Sequence, residues 1–249
     1  MNYARIFDLE IAAGTRGELT DALLMLIGRG GTVATVNALM LERARKSCEF
    51  HRTLSDMSLC IPDGVGVVRA MRSCGVTSEV LPGVELGLLL PMMRPHLRIA
   101  LYGAAAGVAA RAGEKIQSIA PETEIVLVRD GFHHTPFEVA RELVPRRPDL
   151  VYLCLGSPKQ EEVARLFSRD LPQALIIGLG GSFDVWCADK SRAPMPMRRM
   201  GLEWLFRMLK EPVRFSQLPA LFSFTFHIFL EQMYTKFTKK EKEIPPSKK

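Results

Sequence analysis

Residues 150–179 read LVYLCLGSPKQEEVARLFSRDLPQALIIGL, and this stretch decides the fold. It opens on Leu150–Leu155, an uncharged apolar run of the kind found in strands buried on both faces. The run stops at Gly156, the backbone turns at Pro158, and a helical pattern follows over Gln160–Arg169. A second apolar run, Ala174–Leu179, closes the unit. Strand, helix and strand in this order make a right-handed βαβ crossover within a parallel sheet.

The same alternation extends outward. Strands are predicted at Thr32–Val36, Leu59–Ile61, Arg98–Tyr102 and Glu124–Val128. Helical patterns fill the gaps at Ala38–Ser55, Gly66–Ser73, Val84–Met92, Gly107–Ala120 and Pro136–Val144. Together they predict an α/β fold, a parallel sheet with helices on both faces, over residues 1–190. No internal repeat is found. After about residue 190 the pattern changes. Arg192–Lys210 is basic and helical, punctuated by Gly201 and Pro212. Phe215, Phe222, Phe224, Phe226, Phe229 and Phe237 then crowd a short segment that ends among Lys239, Lys240, Lys242, Lys248 and Lys249. Residues 191–249 are therefore expected to form a basic, Phe-rich helical appendage, with the last ten or so residues disordered.

Composition narrows the classes. Of 249 residues, 47% are hydrophobic and 24% charged, which is globular and argues against disorder. The five cysteines (Cys48, Cys60, Cys74, Cys154 and Cys187) are scattered, odd in number and without a C-x-x-C. That argues against a disulfide framework or structural zinc and fits a reducing compartment. Met1–Glu10 carries Arg5, Asp8 and Glu10 and has no long apolar run, so no signal peptide is expected there. The longest uncharged apolar run near the end, Leu218–Leu230, is shorter than the roughly 20 residues of a membrane span. A soluble or peripheral protein is expected. Net charge is uneven: residues 191–249 hold 12 Lys/Arg against 5 Asp/Glu, giving +7, while the rest of the +6 chain sums to −1. A basic tail beside a neutral core suggests contact with an anionic surface. Rings bunched beside lysines suit an interfacial segment at a membrane, although a helix docked on its own core would look similar. Nucleic acid is not expected, because the phenylalanines are bunched in an apolar run rather than interleaved on one face.

In open parallel sheets, ligands bind beyond the carboxyl ends of the strands. Candidate site residues are therefore those just after each strand. Thr35 and Asn37 flank the first junction and could cap the helix or orient a ligand. Ile61-Pro62-Asp63-Gly64-Val65-Gly66 places a carboxylate at a strand end, before glycines that allow a sharp turn. Asp63 there could accept a proton from an attacking hydroxyl, or it could merely shape the turn. Gly103 and Gly131-Phe132 mark two further strand ends. In Gly156-Ser157-Pro158-Lys159-Gln160-Glu161, backbone N–H groups at a helix start and the Lys159 charge would attract phosphate, while Gln160 offers both a donor and an acceptor. An ordinary capped helix with a surface lysine fits that loop equally well. Gly178-Leu179-Gly180-Gly181-Ser182-Phe183-Asp184 resembles a dinucleotide fingerprint but fails as one, because its third glycine position holds Phe183 and it lies at the last strand. Gly103 to Gly107 fails as well. Both glycine runs are read as close backbone approaches to a ligand.

No metal site is expected. His133 and His134 are adjacent and make a poor ligand pair, and the only D-x-D-like run is Asp8-Leu9-Glu10. Neutralising a bound anionic ligand would then fall to cations such as Arg192, Arg198, Arg199, Arg207 and Arg214, which could equally form a solvated basic face.

In order along the chain, these elements resemble the WecG/TagA/CpsF family of bacterial glycosyltransferases. The resemblance runs from about Phe7 to Arg214. It rests on Thr35-x-Asn37, the Pro-Asp-Gly-x-Gly turn at Asp63, the loop at 156–161, Gly180–Asp184, Arg192-Ala193-Pro194, the segment 201–207 and Glu211-Pro212-x-Arg214. Each element alone is weak; the ordered series is specific.

The resemblance implies a Rossmann-like fold with a C-terminal appendage that helps bind membrane and completes the site. It implies an inverting transfer from a UDP-sugar, of the N-acetylmannosamine, uronic acid or glucose type, to a polyprenyl-diphosphate-linked sugar. No cofactor and no essential metal are implied. Asp63 matches the family's proposed base, and Thr35, Asn37 and Gln160 match its substrate contacts. A cytoplasmic protein, peripheral on the inner face of the cell membrane, follows. The sequence departs from the family in Ser78–Leu86, where no Arg precedes Val84, and at Ala188, where Gly is common. The Met- and Leu-rich helices would permit a homo-oligomer. The competing classes are a nucleotide-dependent oxidoreductase and a non-enzymatic membrane adaptor.

Overall fold

The computed structural model describes residues 1–187, 193–200 and 202–242, without the side chains of residues 198, 199, 207 and 234–242. The chain begins with β1 (Asn2–Ile6), β2 (Leu9–Ala13), α1 (Arg16–Leu26), β3 (Gly31–Val36), α2 (Ala38–Lys46), α3 (Cys48–Ser55), β4 (Leu59–Pro62), α4 (Val65–Ser73) and α5 (Gly83–Met93). It continues with β5 (Arg98–Gly103), α6 (Val108–Ile119), β6 (Glu124–Arg129), α7 (Pro136–Leu143), β7 (Leu150–Cys154), α8 (Lys159–Asp170), β8 (Leu175–Gly178) and α9 (Ser182–Trp186). Three helices follow: α10 (Met195–Arg199), α11 (Glu203–Lys210) and α12 (Leu218–Lys242).

Six strands form one parallel sheet in the order β4-β3-β8-β7-β5-β6. The continuous apolar runs follow from burial on both faces. Val33, Ile99, Tyr152 and Ile177 point to one face, against Leu19, Leu86, Ile116 and Phe183 of α1, α5, α6 and α9. Ala100, Val151, Leu153 and Ile176 point to the other, against Val139 of α7 and Phe167 of α8. Ala34, Val36 and Cys60 meet α2, α3, α4 and the β1–β2 hairpin on that second face. Each buried Val, Leu, Ile or Phe among them contributes about 1.5–3 kcal/mol.

All six sheet strands lie where the sequence puts them, to within a residue or two. The structure differs from expectation at four places. The helix expected over 38–55 is two, because Ser47 is extended (φ −128, ψ 108) and its hydroxyl caps α3 by accepting from Phe50 N at 3.2 Å. The first thirteen residues form an antiparallel hairpin that the sequence pattern did not suggest. Its two-residue turn uses Phe7 (φ 49) and Asp8 (φ 63), left-handed positions usually held by Asn or Gly, so the turn signal is hidden. Asp8-Leu9-Glu10 therefore belongs to this turn and to β2. Helix α1 was not anticipated either, although Thr15 and Glu18 form a full capping box. The basic stretch before Lys210 is two short helices.

Helix α12 docks on the core. Phe224 and Ile228 are buried in the cluster of α2, α4 and the hairpin, and Phe224 meets Phe7 edge-on at 6.0 Å. A polar latch lies beside them. The buried Glu42 carboxyl of α2 accepts two hydrogen bonds of 2.9 Å from Arg45 and lies 2.8 Å from Lys46 Nζ, and Arg45 reaches Ser223 Oγ of α12 at 3.4 Å. Burial opposes ionisation of Glu42, but these donors outweigh it and bring its pKa down to about 2. The opposite face of α12 exposes Phe222, Phe226, Phe229 and Leu230. No helix among the described residues is long and apolar enough to cross a membrane. The segment expected to be disordered lies largely outside the described residues.

Candidate active site

The candidate residues gather at the carboxyl ends of the strands, where backbone and side-chain hydrogen bonds tie adjacent loops together. At the sheet edge, Asp63 follows β4, and its N–H donates to Val36 O of β3 at 2.8 Å. Gly64, at φ 120, swings the chain directly into α4. That φ excludes an ordinary side chain without strain, which explains the glycine after the carboxylate. Asp63 is half-buried and has an interaction partner.

Thr35 and Asn37 serve structure directly. The buried Thr35 hydroxyl donates to Gly178 O at 2.7 Å and so clamps β3 to the end of β8. Asn37 Oδ1 accepts from Leu39 N and Met40 N at 3.0 and 3.1 Å, the N-cap of α2. Its Nδ2 makes no hydrogen bond among the described residues, so the capping and ligand readings of Asn37 are compatible.

On the next loop, Gly156 (φ 75) ends the β7 run, and Ser157-Pro158 is a cis peptide. Gln160 is buried rather than presented on the surface. Its Oε1 accepts from Gly180 N at 3.0 Å, and its Nε2 donates to Glu161 Oε1 at 2.8 Å. Gly178 makes room for it, since a Cβ there would lie 2.7 Å from Nε2. Lys159 is exposed and reaches Gly131 O at 3.4 Å, bridging the loops after β7 and β6.

The far side is bound by backbone contacts. Gly103 (φ 133) lies so close to β7 that a Cβ would fall 2.3 Å from Cys154 O. Ala104 N donates to Cys154 O at 2.8 Å, and Gly131 N to Ala104 O at 2.9 Å. Beyond them, Asp130 Oδ1 accepts from the backbone of His133 and Phe132, at 2.8 and 2.9 Å, and from His133 Nδ1 at 2.9 Å. The His133 and Phe132 backbone donors hold this carboxyl well below the usual range. The loop displays Phe132, 79% exposed, beyond the tip of β6. Asp130 was not singled out from the sequence; its signal is an Asx turn, Asp-Gly-Phe-His.

Gly181 is exposed at the start of α9, and Asp184 lies half-buried in that helix's first turn. Of the cations, Arg192 lies outside the described residues, as do the side chains of Arg198, Arg199 and Arg207. Arg214 is not an unpaired cation: its Nε donates to Glu211 Oε2 at 2.6 Å. Two residues without an assigned role in the sequence reading join the site. They are Glu161, 2% exposed, and Arg43, whose Nη1 approaches Ser157 O at 3.4 Å. Val80 stands in the segment that lacks the family arginine and packs on the α2–α4 cluster.

A doubly covered parallel sheet with glycine turns and a carboxylate at its strand tips defines an α/β enzyme of Rossmann-like architecture without the dinucleotide fingerprint. Residues 4–238 match the glycosyl transferase WecG/TagA/CpsF family, and the chain belongs to it. It is 32% identical over 222 residues, 86% of each chain, to an N-acetylglucosaminyldiphosphoundecaprenol N-acetyl-beta-D-mannosaminyltransferase of Bacillus subtilis (strain 168). A protein of the same name from Bacillus spizizenii is 33% identical over 78% of this chain and 76% of its own. One from Staphylococcus aureus (strain MW2) is 27% identical over 79% and 78% respectively. The protein is thus a glycosyltransferase, and the oxidoreductase and adaptor alternatives fall away.

Proposed function

We propose that this enzyme transfers a hexose or N-acetylhexosamine from a UDP-sugar to a polyprenyl-diphosphate-linked sugar, with inversion, at the inner face of the bacterial cell membrane. The relatives' names support a lipid-diphosphate acceptor. The observation that carries the reading is the position of Asp63. Gly66, three residues further on, lies against Phe224 of the docked α12, so the helix that begins just after Asp63 packs on the one that exposes a row of aromatic rings. An acceptor whose lipid stays in the membrane would meet Asp63 there.

Asp63 takes the proton of the acceptor hydroxyl as its oxygen attacks the anomeric carbon and the bond to UDP breaks. The Gly181 N–H and the start of α8, with Lys159 and cations of residues 191–214, including Arg192, Arg207 and Arg214, gather the leaving diphosphate charge. Phe132 offers a ring for the nucleoside base, and Asp184 a carboxylate for its polar groups. Asn37 offers Nδ2, while Thr35 and Gln160 hold the floor of the site. Residues 1–190 form the catalytic unit. Residues 191–249 anchor it to anionic lipid, with rings at the acyl boundary.

The test is acceptor-dependent UDP release from a panel of UDP-sugars, with EDTA present, comparing the wild type with Asp63→Asn. Release that survives EDTA and falls by about 10²–10⁴-fold in the variant supports the proposal. A folded Asp63→Asn enzyme with full activity sinks the assignment of the base.

A further inference from the structure

Gln160 is almost wholly enclosed, yet it sits between the tips of β7 and β8, at the middle of the sheet edge where the proposed ligand crevice lies. Its amide is spent on two neighbours: Oε1 holds the Gly180 N–H, and Nε2 donates to Glu161 Oε1. Gly180 (φ 60) has open space where a Cβ would be, and Gly181 is exposed, so these two residues form the ligand-facing tip of the loop. Thr35 holds the same loop from the other side through Gly178 O. The loop is therefore clamped between β3 and the start of α8.

Behind Gln160 lies Glu161, 98% enclosed. Glu161 Oε2 and Ser157 Oγ are both buried, and neither has a hydrogen bond of good geometry. Burial pushes the Glu161 pKa up, partly offset by Gln160, Ser157 and the Arg43 charge. A buried carboxyl is costly when ionised and tolerable when neutral. In the neutral form, which burial favours, it would accept from Gln160 at Oε1 and donate from Oε2 to Ser157, satisfying both orphaned atoms.

We propose that Glu161 is a positioning residue that acts through Gln160: the relay Ser157–Glu161–Gln160–Gly180 fixes the Gly180–Gly181 backbone in the shape that receives the donor's diphosphate. This rests on the reading that the crevice takes a UDP-sugar. Gln160 then serves the site as a strut, and the exposed glycine backbone meets the ligand.

The experiment measures UDP affinity by titration calorimetry on the full chain, with thermal unfolding alongside. The proteins are wild type, Glu161→Gln, Glu161→Met, Gln160→Met and the double Met variant. Methionine fills the volume and deletes the hydrogen bonds; glutamine preserves the neutral acid's donor and acceptor. Each Met change is expected to weaken UDP binding about tenfold, the double variant no more than the weaker-binding single, and Glu161→Gln less than threefold. Multiplying effects in the double variant overturn the relay. So does a folded Glu161→Gln that binds as poorly as Glu161→Met, or Met variants that fold and bind like wild type while the wild type binds UDP. If the wild type binds no UDP, the reading of the crevice falls first and takes the relay with it. Should a Met variant fail to fold, Glu161→Gln alone still decides, since a tenfold loss there contradicts the neutral-acid relay.

Discussion

Phe224 and Phe226 stand two positions apart on α12 and face opposite ways, which makes them a matched pair. Phe224 is 4% exposed, lies edge-on to Phe7 and covers Gly66 of α4; Phe226 is 58% exposed. Truncating a buried Phe to Ala typically costs 3–5 kcal/mol, from lost transfer energy and the cavity left behind. The edge-to-face contact with Phe7 is part of that sum, at about 0.5–1.5 kcal/mol. We expect Phe224→Ala to lower stability by about 3 kcal/mol, because the site lies at the rim of the core and can partly collapse. Phe226→Ala removes no buried contact and should shift stability by no more than about 0.5 kcal/mol. In vesicle binding we expect the ranking to reverse. A ring that leaves water for the acyl boundary is worth roughly 1.5 kcal/mol when partly buried, or about tenfold in partitioning. Urea unfolding and sedimentation with anionic vesicles measure the two quantities. Equal stability losses for both variants would refute the docking geometry. Unchanged vesicle binding by Phe226→Ala would refute the assignment of the exposed face to lipid.

Other expectations follow from single contacts. Gly103→Ala forces a Cβ to 2.3 Å from Cys154 O at a φ of +133; it should cost about 3 kcal/mol or more, read as a lower urea midpoint at unchanged slope. Asn37→Asp keeps the cap of α2 and removes Nδ2, so a stability change under about 0.5 kcal/mol with a clear loss of activity separates the ligand role from the cap. Glu161→Gln should remove a pH dependence of stability. The wild-type carboxyl is neutral below its unfolded value near 4.5, and its raised folded pKa means that stability is lost as pH rises through that higher value. The variant should therefore gain on the wild type with increasing pH, and parallel pH–stability curves would contradict a neutral Glu161 facing Ser157, Gln160 and Arg43. Glu42→Gln behaves oppositely: the contribution of its ion pairs is present above about 4.5 and fades as pH falls through about 2, so the variant's deficit should shrink in acid.

The sequence by itself determined the sheet and the ring of candidate residues. Six strands buried on both faces must be continuously apolar, and the first polar or glycine residue after each run marks its tip; Asp63, Gly103, Gly156 and Gly180 are legible for that reason. It could not show the hairpin, because Phe7 and Asp8 take left-handed angles that their residue types do not announce. Nor could it show the state of each polar group. Whether Gln160 faces a ligand or a glycine N–H, and whether Glu161 is solvated or enclosed, depends on strands that approach from distant parts of the chain. The appendage shows the same division. Its aromatic and basic content is plain in residues 191–249, but which rings turn inward is set by the α2–α4 surface against which α12 packs. Local pattern fixes what a residue can do, and long-range packing selects which of those options is used.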